Sequence, residues 1–484
     1  MKVLAVIASY GHTNNPFLQR ALQEYRRMRY AVDIIVLSNI PKNLGPDIQV
    51  VVGLPNGDPW SLPFAHKKIF ADRANDYDLF LYSEDDVLVT ERNLDAFLRT
   101  AATLPQDEIA GFLRAETDEQ GRLYYIDAHS HYHWEVGSVR SRGEYTFAFF
   151  TNEHAAFYLF TRDQLKRAIQ SGGFLVGPHE EKYDLLVTAA TDPYTQCGFK
   201  KMICVSHLDD FTVLHLPNKK HNGRPYEERL EFHKQIEALL KAQKNGTPRT
   251  MLFEPDSKVG RGKWAKSYYE PYDPFSGRQT ILPDIVSHVP SGVRSVLSVG
   301  CGWGGIEAEL VHRGIRVVGI PLDPVIAACA EAKGVEVVDS DFEAARNKLA
   351  SERFDCVLMS YVLHLVPDPL HVLSSFTELL SAQGCVVVSV PNFAQVGVVW
   401  RRMRRDPQYR ELGNYENSGL HLTTHRVIGK WFQSCDLRVD KMVDLVPKQA
   451  RWAYRLSPEL AGPALASDFI AIGRGGKVGS SADR

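Results

Sequence analysis

No stretch of this 484-residue chain approaches the roughly 20 consecutive apolar residues that a membrane-spanning helix needs. The apolar opening from Met1 to Val6 is short, has no substantial basic flank, and gives way at once to Ser9, His12, Thr13 and Asn14. It therefore reads as a strand and not as a secretion signal. Cysteine is sparse. The seven cysteines (197, 204, 301, 329, 356, 385 and 435) are scattered through apolar patterns, which argues for reduced core residues over a disulfide framework or a zinc site. A dominant charge is missing as well: 56 Lys and Arg stand against 58 Asp and Glu, a net of −2, so the chain as a whole offers no field for nucleic acid. Internal repeats and coiled-coil heptads are absent. These absences point to the cytoplasm.

What is present is a globular composition, 44% hydrophobic and 24% charged, in a chain too long for one ordinary core. Two segments each open with strand, turn and helix and then alternate strand and helix patterns, the rhythm of an open α/β sheet. The first begins with the strand Lys2 to Ala8, a turn at Ser9-Tyr10-Gly11 and a helix near Pro16 to Arg29; Val32 to Leu37 and Leu79 to Tyr82 are further strands. Pro225 to Gln243 reads as a charged amphipathic helix. The second segment restarts at Val293 to Val299. The expected division is a domain over 1–243, a linker over 244–262, a second domain over 263–474 and a disordered tail over 475–484.

In the first segment an apolar strand delivers three adjacent acids, Glu84-Asp85-Asp86, and a second apolar run follows. Adjacent carboxylates repel one another, so water or a cation is expected nearby; a divalent ion shared with a diphosphate is one solution, a solvated acidic turn the other. The segment resembles the Asp-x-Asp motif of glycosyltransferases of the A-type (GT-A) fold, with the resemblance covering about the first 240 residues through element order. It implies a nucleotide-sugar donor held near Ser9 and Tyr10, and Mn2+ or Mg2+ held by Glu84 and Asp86. The stretch Trp60 to Lys68 is similar to the helix that precedes the motif in bacterial members.

Two later clusters take roles from the same resemblance. Gly177-Pro178-His179-Glu180-Glu181 leads into a helix, and an acidic pair here supplies the base for the acceptor hydroxyl, Glu181 ahead of Glu180. Ordinary first-turn helix charge is the structural alternative. A late histidine completes the metal shell in the family. His215, within Thr212 to Pro217, is the first choice; His207 competes, and a hydrogen-bonded core histidine is the plain alternative.

In the second segment the strand Ser295 to Val299 runs into Gly300-Cys301-Gly302-Trp303-Gly304-Gly305 and then a helix. Glycines let backbone approach a nucleoside closely, although such a run also suits a dinucleotide. The run resembles motif I of class I methyltransferases, and the next four elements follow in that family's order across most of 265–474. The resemblance implies a Rossmann-like domain binding S-adenosylmethionine through Gly300, Gly302 and Gly304, with Asp341 at the adenine. Two positions depart from the pattern: Ser298 stands where an acid is common, and Pro321 where an acid usually binds the ribose. Asp323, two residues on, points the same way along an extended strand end and is the candidate substitute. His364 is the first choice of general base for a hydroxyl acceptor, with His421 and His425 as rivals.

Trp400-Arg401-Arg402-Met403-Arg404-Arg405 is the one concentrated basic run. A solvated helix face is its default reading; a site for an anionic glycan, a lipid-linked acceptor or a membrane surface is the sharper one. The sum is an α/β chain of two open-sheet domains, one GT-A-like and one of the class I methyltransferase kind. It would be a bifunctional enzyme of glycan assembly acting on a glycan or lipid-linked glycan acceptor, with peripheral attachment to the inner membrane face as an option. The alternatives are a methyltransferase with a non-catalytic glycan-binding N-terminal domain, and a non-catalytic scaffold. Oligomeric state is not readable.

Overall fold

The computed structural model describes residues 1–218, 227–246, 264, 266–269, 282–338, 341–406, 409, 412–447, 450–451 and 458–475. Most of the expected linker, and the tail beyond 475, lie outside them. The chain divides into two compact units, one of residues 1–128 and 133–243, the other of residues 129–132 and 244–484.

The N-terminal unit is built on β1 (Lys2–Ala8), β2 (Ala31–Ser38), β3 (Ile48–Val52), β4 (Leu79–Glu84) and β11 (Phe157–Thr161), in the spatial order β11-β4-β1-β2-β3. β1 pairs in parallel with both β2 and β4, and β11 closes the edge antiparallel to β4. Val3 to Ile7 and Leu79 to Tyr82 are all buried, because a sheet covered on both faces needs apolar side chains at consecutive positions. The helix Asn15–Arg27 buries Leu18, Ala21, Leu22 and Tyr25. Two smaller sheets follow. One orders β6 (Glu108–Gly111), β12 (Lys200–Cys204), β10 (Tyr145–Phe150) and β9 (Trp134–Arg142). The other orders β14 (Glu227–Glu228), β8 (Leu123–Tyr125), β7 (Leu113–Thr117), β13 (Thr212–His215) and β5 (Val87–Leu88). The helix expected at Pro225 to Gln243 runs from Arg229 to Lys244.

The C-terminal unit holds one seven-stranded sheet: β15 (Ser295–Cys301), β16 (Arg316–Pro321), β17 (Glu336–Val337), β18 (Phe354–Ser360), β19 (Leu380–Pro391), β20 (Leu437–Leu445) and β21 (Asp468–Gly475). Their spatial order is β17-β16-β15-β18-β19-β21-β20, parallel from β17 to β19, with β21 antiparallel to both neighbours. Val296, Leu297, Val299, Val357, Leu358, Met359 and Val386 to Val388 form its buried middle. Numbered within the unit, the order is 3-2-1-4-5-7-6. The chain reverses direction across the sheet between β15 and β18, and a crevice outside the carboxyl ends of the strands at such a point is where open α/β sheets bind ligands.

Candidate functional site

In the C-terminal unit the tip of β15 and the start of the helix Gly305–His312 enclose the glycine turn. Gly300 and Gly304 have φ of +82° and +86°, a backbone region that side chains disfavour. A Cβ on Gly304 would also lie 2.7 Å from the Cβ of Ala330, and one on Gly302 would lie 2.1 Å from the carbonyl oxygen of Tyr268. Glycine is therefore required here by close packing against Tyr268 and Ala330, and it leaves the turn as bare backbone that a nucleoside cofactor can approach.

Both departures from the expected pattern have a structural explanation. Ser298 is buried, and its Oγ donates a 2.6 Å hydrogen bond to Oε1 of Glu307. The carboxylate expected on the strand is supplied by the helix after the turn. Asp323 is fully buried, and its Oδ1 accepts from the N–H groups of Val325 at 2.9 Å and Ile326 at 3.0 Å. It shapes the chain after β16, where Pro321 ends the strand. Asp341 is exposed and caps the helix Phe342–Lys348, accepting from Glu343 and Ala344.

His364 follows β18 and is buried; its Nε2 donates to the carbonyl of Trp264 at 2.8 Å. Its two rivals are engaged elsewhere. The ring of His421 stacks on Tyr415 at 4.4 Å, with Nε2 facing the carbonyls of Val366 and Pro367, and His425 pairs with Asp444 at 2.8 Å while stacked on Phe469. A feature with no sequence signal is the short segment around Trp264 to Tyr269. Besides the Trp264 carbonyl, its Lys266 Nζ donates to the carbonyl of Ser360, and its Tyr268 carbonyl accepts from the N–H of Trp303 at 2.7 Å. It thus crosses the tips of β15 and β18. Lys333 stands 3.5 Å above the Trp303 ring, beside the same turn.

In the N-terminal unit the sheet reverses between β1 and β4, and polar side chains gather there. Buried Ser9 donates from Oγ to Asp85; Asn14 donates to Asp85 at 2.8 Å; Lys42 donates to Ser9 at 2.8 Å and to Asn15 at 2.9 Å. Tyr10, beside them, is 51% exposed. Burial, and then the neighbouring Asp86, push the Glu84 carboxyl up to about 8. His215 lies with its Nε2 3.5 Å from Asp86 and its Nδ1 2.6 Å from Glu116. Burial lowers the basicity of that imidazole, but hydrogen bonds to Asp86 and Glu116 outweigh it and raise its pKa. His207 sits apart, against Ser206 and the ring of Tyr145.

Glu84, Asp86 and His215 thus come close together, as expected, yet the expectation of a metal shell is not met. Among the described residues no group of three or more His, Cys, Asp or Glu side chains is placed to hold a metal ion. The His215 nitrogens face the Asp86 and Glu116 carboxylates. Glu180 and Glu181 are exposed and lie before the helix Leu185–Thr195, whose N-cap is Asp184; Gln196 donates to Glu181 at 2.7 Å.

The strand order and the glycine cradle define a class I methyltransferase fold. The sequence model of the family described as methionine biosynthesis protein MetW matches residues 281–465. A ubiquinone biosynthesis O-methyltransferase of Xylella fastidiosa is 30% identical over 138 residues, 27% of this chain and 56% of that enzyme. Its counterpart in Histophilus somni is 28% identical over 144 residues, again 27% of this chain and 60% of that enzyme. The chain thus spans less than two thirds of the length of these relatives. A solved S-adenosylmethionine-dependent methyltransferase of Archaeoglobus fulgidus aligns with 40% of this chain and 93% of its own, at 18% identity and a TM-score of 0.30, a likeness that adds nothing to the strand order. The C-terminal unit carries a class I, S-adenosylmethionine-dependent methyltransferase domain.

Proposed function

We propose that the C-terminal unit transfers a methyl group from S-adenosylmethionine to a hydroxyl of a small acceptor. The observation that carries this is the bare-backbone turn Gly300 to Gly304 at the point where the sheet reverses, in a stretch matched by the MetW family, in a chain that is also similar over 138 residues to an O-methyltransferase. Gly300, Gly302 and Gly304 would hold the cofactor, with Asp323 at its ribose and Asp341 at its adenine; the cofactor supplies an electrophilic methyl group when bound. The residues of the chain do the rest. Trp264, Lys266 and Tyr268, held across the tips of β15 and β18, would exclude water from the crevice, and alignment of acceptor and donor is the main requirement of such a transfer. His364 is held by its Nε2–H on the Trp264 carbonyl, which leaves Nδ1 as the basic nitrogen to take the hydroxyl proton.

The test is incubation with methyl-labelled S-adenosylmethionine and a panel of phenolic and sugar hydroxyl acceptors. Label transfer lost in Gly304→Val and reduced about a hundredfold in His364→Gln supports the reading. Transfer by the Gly304→Val variant at the wild-type rate overturns it.

A second reading concerns the N-terminal unit, favoured by the Ser9, Asn14, Lys42 and Asp85 cluster at the reversal point of its sheet. It binds a glycan or a nucleotide-sugar there, and sugar transfer with Glu181 or Glu180 as base is the more specific form. Because the acidic group makes no metal shell, no step of this reading runs through Mn2+ or Mg2+. Nucleoside diphosphate release from a panel of sugar nucleotides distinguishes transfer from binding alone.

A further inference from the structure

The helix Val396–Met403 follows β19 at the same edge of the sheet as the glycine turn. Of its eight residues only Val398 is buried. Val396, Val399, Trp400 and Met403 are 59%, 39%, 51% and 78% exposed. Their spacing of three, four and seven places them on one stripe of the helix, the pattern that elsewhere in the chain faces a core. Here it faces water. A surface groove of about 320 Å³ beside the stripe is lined by Val399, Arg402, Met403, Tyr409 and Leu412.

The stripe is ringed by positive charge. The Arg404 guanidinium lies 3.8 Å over the Trp400 ring, Arg401 donates to the Tyr409 hydroxyl at 3.3 Å, Arg402 donates to the Leu412 carbonyl at 3.2 Å, and Arg405 follows, exposed. Among the described residues none of these four arginines is ion-paired with a carboxylate. An apolar stripe with a tryptophan at its centre and unneutralised arginines along its flanks matches one surface above others: a bilayer that carries anionic phospholipid. The apolar side chains enter the acyl boundary, the indole rests at headgroup depth and the guanidinium groups meet phosphates. A second copy of the chain fits poorly, since a two-fold contact through this helix would set arginines against arginines. No helix among the described residues is long and apolar enough to cross a membrane, so attachment here lies in the plane of the interface.

We infer that the helix Val396–Met403 docks the protein on anionic phospholipid membranes, independently of what the crevice catalyses. The experiment is co-sedimentation of the full chain with pure phosphatidylcholine vesicles and with mixed phosphatidylglycerol/phosphatidylcholine vesicles. Binding is expected to the mixed vesicles only, and to weaken with salt. The Trp400→Ser/Met403→Ser variant should lose at least about tenfold in affinity. The Arg401→Gln/Arg404→Gln/Arg405→Gln variant should lose about a hundredfold, from roughly 1 kcal/mol per arginine. Thermal unfolding checks that each variant folds, and if the apolar one does not, the arginine variant still decides. Absence of binding to mixed vesicles, equal binding to both kinds, or binding unchanged by both variants overturns the inference. So does a wild-type dimer in sedimentation velocity that the Trp400 and Met403 changes convert to monomer.

Discussion

Ser298 on β15 and Glu307 in the helix beyond the glycine turn are joined by a buried 2.6 Å hydrogen bond, the hydroxyl donating to the carboxylate. The turn between them is therefore closed by a side-chain link across nine residues, and the acid that the strand lacks is delivered from the helix. Placing an acid on the strand should do harm. Ser298→Asp sets two buried carboxylates against each other and is expected to lower stability by about 2 kcal/mol. Adding Glu307→Gln, which restores a donor, should recover most of the loss in urea unfolding. A Ser298→Asp protein as stable as the wild type would refute this account of the turn.

Lys67 and Asp192 form a second buried pair in the N-terminal unit, with side chains 3% and 0% exposed. Lys67→Met leaves the Asp192 carboxylate buried without its cation and is expected to cost about 3–5 kcal/mol. The double variant Lys67→Met/Asp192→Leu removes both charges and should regain most of that in the same measurement.

Lys201 gives a pH dependence of defined sign. Burial lowers its ammonium to about 8, against the attraction of Asp127. The unfolded chain holds the proton more tightly than the folded one, so the cost is full below about pH 8 and fades as pH rises toward the ordinary lysine value of about 10.4. Unfolding of the N-terminal unit should grow harder by on the order of 3 kcal/mol over that window, and Lys201→Met should flatten the rise. Equal slopes for the two proteins would contradict the assignment.

The parts legible in the sequence are those written in consecutive residues. Lys2 to Ala8 is read correctly at both ends because seven strand residues run up to the Ser9-Tyr10-Gly11 turn, and the glycine turn after β15 announces itself. The two smaller N-terminal sheets are not legible in the sequence, since strands such as Glu108–Gly111 have only four residues and pair with partners as distant in the chain as Lys200–Cys204. Lys67 and Asp192 are separated by 125 residues, so no local pattern joins them. The segment at the crevice is invisible for a different reason: Trp264 and Tyr268 act through backbone carbonyls, which every residue has. The sequence makes His215 the first choice to complete a metal shell with Glu84 and Asp86; the structure sets it against Asp86 and Glu116, and Glu116 comes from a neighbouring strand that the pattern does not reveal.

Calorimetric titration of the full chain with S-adenosylhomocysteine tests the central claim most directly. The account predicts saturable binding at one site per chain, abolished in Gly304→Val while the N-terminal unit's unfolding transition is retained. No heat of binding from the wild-type chain, or undiminished binding by Gly304→Val, would contradict it.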